Sequence, residues 1–312
     1  MRISSARGPA LLALLALLAL VPLTGCGGGP GSGDGTTSPG PASAVRVVAS
    51  TSVYGDIVRQ VGGDRVDVTS VITDPAQDPH SFEAGTRHQL ALSRARVVVE
   101  NGGGYDDFIG RMLRSSGNSS AVVVNAVEVA GRTAPAGGEL NEHVWYDLPT
   151  AGRLATRVAD ALAGAAPANA GYYRRNAEEF NGRLRPLEAE EARIKADHPG
   201  AAVAVTEPVP RYLIEACGLR DRTPAEFGAA VEEGNEVSAA VLRQTLGLFT
   251  GRQVEALVVN QQTSGPQTEK VRRAAEENGI PVVPVTETLP RGQDYIGWMR
   301  SVIDALRKAL DA

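Results

Sequence analysis

The chain has 312 residues, with 31 Lys and Arg against 36 Asp and Glu, for a formal net charge of −5. So mild a charge, without a basic stripe and with only 4% aromatic residues, leaves no electrostatic or stacking footprint for nucleic-acid binding. Two cysteines, Cys26 and Cys217, are too few for a disulfide-built scaffold.

The amino terminus reads as an export signal. Arg2 and Arg7 form a basic start, residues 9–22 are a Leu/Ala-rich apolar run, and Leu23-Thr24-Gly25-Cys26 follows. The run is shorter than the roughly 20 apolar residues that a membrane-spanning helix needs. Leu23 to Cys26 resembles a bacterial lipobox, which implies that residues 1–25 are a lipoprotein signal peptide, cleaved to leave Cys26 as the lipidated amino terminus. The mature protein is then extracytoplasmic, anchored to the bacterial cell membrane by lipid rather than by a spanning segment. Residues 26–44, rich in Gly, Pro, Ser and Thr, bury nothing and form a flexible tether.

About 270 residues follow, enough for two lobes rather than one core. Val-rich runs at 45–50, 66–72, 97–101 and 121–125 read as strands, with helices at 54–61, 86–95 and 105–114 between them. Continuous apolar strands separated by helices indicate a buried parallel sheet, so residues 45–168 form an N-terminal α/β lobe. Asn169 stands as the N-cap of a long helix, on which Tyr173, Ala177, Phe180, Leu184, Leu187 and Ile194 make one apolar stripe. This segment, 169–198, is a spine between lobes; Pro186 inside it predicts a kink, and the stripe meets Glu191, too early for a sustained coiled coil. The alternation returns in a C-terminal lobe, 199–312, with strands at 201–205, 256–260 and 281–285 and helices at 209–217, 237–248, 267–278 and 295–310. Cys217, left without a partner, reads as a small buried hydrophobe. The fold class is therefore α/β, two lobes joined by one long helix.

Four histidines are unevenly placed. His80 in Asp78-Pro79-His80-Ser81-Phe82-Glu83 and His143 in Asn141-Glu142-His143-Val144-Trp145 sit in loops, whereas His88 falls in a helix and His198 at a helix end where a cation favours the dipole. Glu207 and Glu287 each follow an apolar strand. Two His and two Glu converging at the carboxyl ends of strands would make a four-ligand metal site, electrically neutral around a divalent cation. Glu83 and Asp147 are candidates for orienting the imidazoles. With four protein ligands there is no open coordination position, and neither an HExxH helix nor a GxSxG elbow is present, so binding and delivery fit better than catalysis.

The series DPHSFE, EHVWYD, TEPVPRYL and VTETLP behind a lipobox resembles the metal-binding lipoproteins of bacterial zinc and manganese ABC importers over essentially the whole mature chain. That resemblance implies the same ligands, His80, His143, Glu207 (with Tyr212 five residues on) and Glu287, a site in the interlobe cleft, and as partners a permease and its ATPase, with the protein itself a monomer. It also implies one Mn²⁺ or Zn²⁺ as the bound ion. Two carboxylates form a harder set than three imidazoles and favour manganese, while the general affinity order favours zinc. Two departures stand out: Pro210 replaces a frequent aromatic, and residues 131–140 carry no His-rich insertion. A surface adhesin of the same fold and an extracytoplasmic metalloenzyme, in which one Glu is a base rather than a ligand, stay open.

Overall fold

The computed structural model describes residues 44–74, 82, 85–134 and 140–312. His80, Glu83 and Cys26 lie outside them. In chain order, β1 (Val45–Thr51), α1 (Ser52–Gly62), β2 (Val66–Ile72), α2 (Thr86–Arg94), β3 (Val97–Glu100), α3 (Asp107–Ser115), β4 (Val122–Asn125) and α4 (Ala126–Ala130) build the first lobe. Its parallel sheet runs β2-β1-β3-β4. A 3-10 turn (Val144–Tyr146), α5 (Leu148–Ala165) and α6 (Ala170–Asp197) lead to the second lobe. There β5 (Ala202–Val205), α7 (Arg211–Ala216), β6 (Arg220–Asp221), α8 (Ala225–Glu232), α9 (Ala239–Thr250), β7 (Ala256–Asn260), α10 (Pro266–Glu277), β8 (Val282–Val285) and α11 (Tyr295–Leu310) follow. Its sheet, also parallel, runs β6-β5-β7-β8. Two α/β lobes joined by a long helix are thus as the sequence predicts, and no helix of the described residues is long and apolar enough to cross a membrane.

The period of two along each strand sorts its residues onto two faces. Val47, Ala49, Val97 and Val99 of the first sheet, and Val203, Val205, Ala256, Val258, Val283 and Val285 of the second, enter one continuous core shared with α1, α5, α6 and α11. Val48 and Val98 face the other way, against Leu92 of α2 and Phe108 and Ile109 of α3. Ala204 and Leu257 likewise meet Phe227 of α8, Phe249 of α9 and Val271 of α10. Because the inner faces of both sheets share a core, the lobes are wedged together rather than hinged on a strand. The Leu289 N–H donating to Ser52 Oγ (3.1 Å) and the Tyr295 N–H donating to Asp56 Oδ2 (2.8 Å) add polar ties.

The spine α6 has 28 residues and spans about 42 Å. Its buried residues are the predicted stripe together with Glu191. The helix continues through Pro186; Gly182, whose carbonyl loses its usual donor there, lies on the exposed face with Pro186, where water can bond it. Asn169 occupies the N-cap position without capping, because its Oδ1 accepts instead from Arg65 Nη1 at 2.7 Å. Cys217 is a buried free thiol, pushed up by that burial.

Helix α5 is the longest of the elements the sequence reading leaves unassigned, the others being α4, β6 and α8. It lies along α6, and its buried residues include Ala151, Leu154, Ala155, Val158 and Leu162. Gly152 permits the close approach, since a Cβ there would stand 3.0 Å from Asn181 Oδ1.

Glu191, 5% exposed, has a buried Oε1 without a hydrogen-bond partner. Burial pushes its carboxyl up to about 8, and the negative charges of Glu188 and Asp147 add to the shift. The unfolded chain holds that proton only below about pH 4.3. A folded value above the unfolded one makes stability fall as pH rises from about 4 to 8, and flatten beyond. Glu191→Gln, which keeps the neutral shape, is expected to leave stability nearly unchanged at pH 4 and to raise it at pH 9 by on the order of a few kcal/mol, read from denaturant midpoints at the two pH values. Equal midpoints for the two proteins at pH 9 would contradict this.

Candidate metal centre

The carboxyl ends of the strands deliver the site. Glu207 follows β5 and Glu287 follows β8, and both are buried, at 2% and 1% exposure. His143 opens the 3-10 turn and is fully buried, its ring 5.1 Å from that of Trp145 and 6.0 Å from that of Tyr105.

The end of β7 and the loop after it position both glutamates. Asn260 Nδ2 donates to Glu287 Oε1 (2.8 Å), and the Gln262 side-chain oxygen accepts from the Glu287 and Thr288 backbone N–H groups. Thr263 Oγ1 donates to Glu207 Oε2. From the first lobe, the Tyr105 hydroxyl donates to Glu287 Oε2 (3.2 Å); burial and that carboxylate raise Tyr105 well above the ordinary phenol value, so it stays a neutral donor.

The tautomer of His143 follows from its neighbour. Asn141 Oδ1 lies 2.8 Å from the His143 backbone N–H and 3.0 Å from Nδ1, while Asn141 Nδ2 donates to the Pro208 carbonyl at 2.7 Å. A backbone N–H can only donate and a carbonyl can only accept, which fixes the amide's orientation. Nδ1 must then carry a hydrogen, so in the neutral ring Nε2 is the nitrogen that holds the lone pair. Nε2 points at Glu232 Oε1 (3.6 Å) and Glu287 Oε2 (4.0 Å).

Glu232, the last residue of α8, is absent from the sequence-derived set. With Glu142 and His143 it forms a group of potential ligand atoms all within 4.8 Å of one another. Its carboxyl is pushed up to about 8, first by burial and then by the negative charges of Glu142, Glu207, Glu287 and Glu233. Glu207 therefore belongs to the same concentration of negative charge as Glu287 and Glu142. An imidazole lone pair facing buried carboxylates is a donor set for a divalent cation with a preference for oxygen and nitrogen.

The family model for the zinc-uptake complex component A, periplasmic (ZnuA), matches residues 47–309. The chain belongs to this family. It is 26% identical over 311 residues to the manganese-binding lipoprotein MntA of Bacillus subtilis (strain 168), covering 92% of this chain and 95% of that protein. It is 28% identical over 156 residues to a putative metal-binding protein of Treponema pallidum (strain Nichols), covering 45% of this chain and 49% of that relative, so it spans about half the length of that protein. A crystal structure of ZnuA matches with a TM-score of 0.72 at 22% identity, over 86% of this chain and 99% of that one. The Pseudomonas aeruginosa protein FpvC in complex with Mn²⁺ matches with the same TM-score, 0.72, at 24% identity, over 86% and 99% of the two chains. The resemblance read from the sequence holds: this ZnuA-family chain is a metal-binding solute-binding protein of the zinc and manganese ABC importer type.

Within that family frame, one expectation needs correcting. Asp147 does not orient an imidazole: its carboxylate accepts from Thr150 and pairs with Arg132 (3.2 Å) and Arg153 (3.7 Å), and Asn141 does the orienting. His88 and His198 stay outside the site. The ring of His88 accepts from the Gly85 N–H at 3.3 Å, and His198 Nε2 meets Asp311 Oδ1 at 3.1 Å. Pro210 caps α7 without displacing Glu207, and α8 packs over that segment, an added Cβ on Gly228 standing 3.8 Å from Glu207 Cα.

Removing the Glu232 charge tests whether α8 contributes to the site. Glu232→Gln is expected to weaken Mn²⁺ and Zn²⁺ binding about 10-fold or more by titration calorimetry. An unchanged affinity for both ions would place Glu232 outside the ligand set.

Proposed function

We propose that this extracytoplasmic, lipid-anchored protein captures one Mn²⁺ or Zn²⁺ ion in the interlobe cleft and delivers it to the permease of an ABC importer driven by its ATPase. The observation that carries the reading is His143 Nε2 facing the carboxylates of Glu232 and Glu287, in a group where burial first and the neighbouring negative charges second push Glu232 up to about 8. Buried like charges are unfavourable alone and become favourable around a cation.

His143, Glu207 and Glu287 are the ligands within the described residues, His80 is the fourth, and Glu232 adds a carboxylate at the more exposed side of the site, its side chain 21% exposed. The relatives support the cargo: one is named manganese-binding, and the structural neighbour FpvC was solved with Mn²⁺ and with Ni²⁺. A carboxylate-rich set favours Mn²⁺ over what imidazoles alone would do, while Zn²⁺ binds more tightly in vitro. The reading needs no chemical turnover, since a carrier binds and releases its ion unchanged.

Stoichiometry and ligand identity give the first test. Purified protein is expected to bind one equivalent of divalent ion, and His80→Ala or His143→Ala to lose affinity at least 100-fold by competition with a chromophoric chelator. A double variant that still binds one equivalent with wild-type affinity would defeat the assignment.

Anchoring is independent of binding. Cys26→Ala is expected to move the protein from the membrane fraction to the soluble fraction while metal affinity stays unchanged, because the Gly/Ser/Pro-rich residues 26–44 separate anchor from site. A Cys26→Ala protein that is still acylated would rule out this anchor.

A further inference from the structure

One side chain touches both the metal-facing imidazole and the opposite lobe. Asn141 Oδ1 accepts from His143 Nδ1 (3.0 Å) and from the His143 N–H (2.8 Å), and Asn141 Nδ2 donates to the carbonyl of Pro208 (2.7 Å), the residue after Glu207. Its own carbonyl accepts from the Tyr212 hydroxyl at 2.6 Å. The loop that carries Asn141 is tied to the first lobe, because Asn101 Nδ2 donates to the Glu142 carbonyl (3.0 Å) and Asn101 is itself held by the Tyr54 hydroxyl. Pro208 and Tyr212 belong to the second lobe, at the start of the segment that carries Glu207 into α7. Arg132 lies over the Tyr212 ring at 4.7 Å and covers the junction.

We propose that Asn141 is an interlobe latch, a positioning residue that couples metal on His143 Nε2 to closure of segment 207–212 over the site. The inference rests on the function proposed above. A cation on Nε2 withdraws electron density from the ring and makes Nδ1–H a stronger donor to Asn141 Oδ1. Polarising the amide oxygen in turn makes its N–H a stronger donor to the Pro208 carbonyl. Loading the ion thus tightens the bond that holds Glu207 in place, and opening that bond loosens both the imidazole and the carboxylate from the ion together. The shared core keeps the lobes wedged, so the element that yields is this short segment rather than a whole lobe.

Asn141→Asp separates the two roles. A carboxylate still accepts from Nδ1–H and keeps the tautomer, but it has no N–H for Pro208. Three readouts apply to the purified chain with and without Zn²⁺: affinity, the nitrogen-15 spectrum of the His143 ring, and amide hydrogen exchange at Val209, Arg211 and Tyr212. In the wild type, Zn²⁺ is expected to slow exchange at these amides about tenfold or more. In Asn141→Asp the ring keeps Nδ1–H and Zn²⁺ still binds, but the slowing falls to about twofold or less. Tyr212→Phe, which removes only a hydroxyl, is the second variant, and a partial loss of slowing is expected. Full wild-type slowing in either variant overturns the latch, as does a lost tautomer in Asn141→Asp with slowing intact. Failure of the wild-type chain to bind Zn²⁺ at all would instead overturn the function proposed above.

Discussion

Buried negative charge is the constraint on which this structure turns. Glu207 and Glu287 are almost wholly enclosed, Glu142 and Glu232 stand beside them, and the His143 ring meets this group through Nε2. Carboxylates taken out of water are held by hydrogen bonds from neutral groups: the Asn260 amide, the Tyr105 hydroxyl, the Thr263 hydroxyl and the Glu287 peptide's own anchor on Gln262. Neutral donors orient carboxylate oxygens without cancelling their charge, so a divalent ion keeps its attraction. An arginine in the same places would fill the site itself.

The scaffold makes that arrangement possible through topology. Parallel sheets put the carboxyl ends of all their strands on one edge, where β5, β7 and β8 release Glu207, the Asn260 to Thr263 loop and Glu287 next to one another. The first lobe contributes Tyr105 and the turn at His143, and the core shared between the two sheets sets the spacing across the cleft. Polar ties such as the Tyr146 hydroxyl donating to the Thr286 carbonyl (2.7 Å) and the Tyr295 hydroxyl donating to the Trp145 carbonyl (2.6 Å) fix the turn against the segment that carries Glu287.

What the sequence makes legible is whatever repeats with a strong period. The Val-rich strands and the stripe from Tyr173 to Ile194 appear where they are predicted because apolar contrast is high along them. Helix α5 escapes notice because its buried face is broad and largely alanine, which gives little contrast between inner and outer positions. Strand β6, only two residues long, has no period to read. Within the site, Glu207 and Glu287 are visible after apolar runs, and His143 from its loop motif. Glu232 and Glu142 are not, because each sits in an acidic pair or beside a stronger motif and looks like any solvated carboxylate. Only the docking of α8 above residues 207–208 makes Glu232 a neighbour of His143, and that is a tertiary fact. Asn141 was likewise hidden: an asparagine two residues before a histidine becomes meaningful once its amide is seen between the ring and Pro208.

Anomalous X-ray diffraction from crystals of the Mn²⁺- or Zn²⁺-loaded protein addresses the central claim most directly, because it locates the ion without reference to any variant. The account predicts one anomalous peak per chain in the interlobe cleft, bonded to His143 Nε2 and to carboxylate oxygens of Glu207 and Glu287. A loaded crystal whose ion lies away from His143, or in which the cleft holds none, would contradict it.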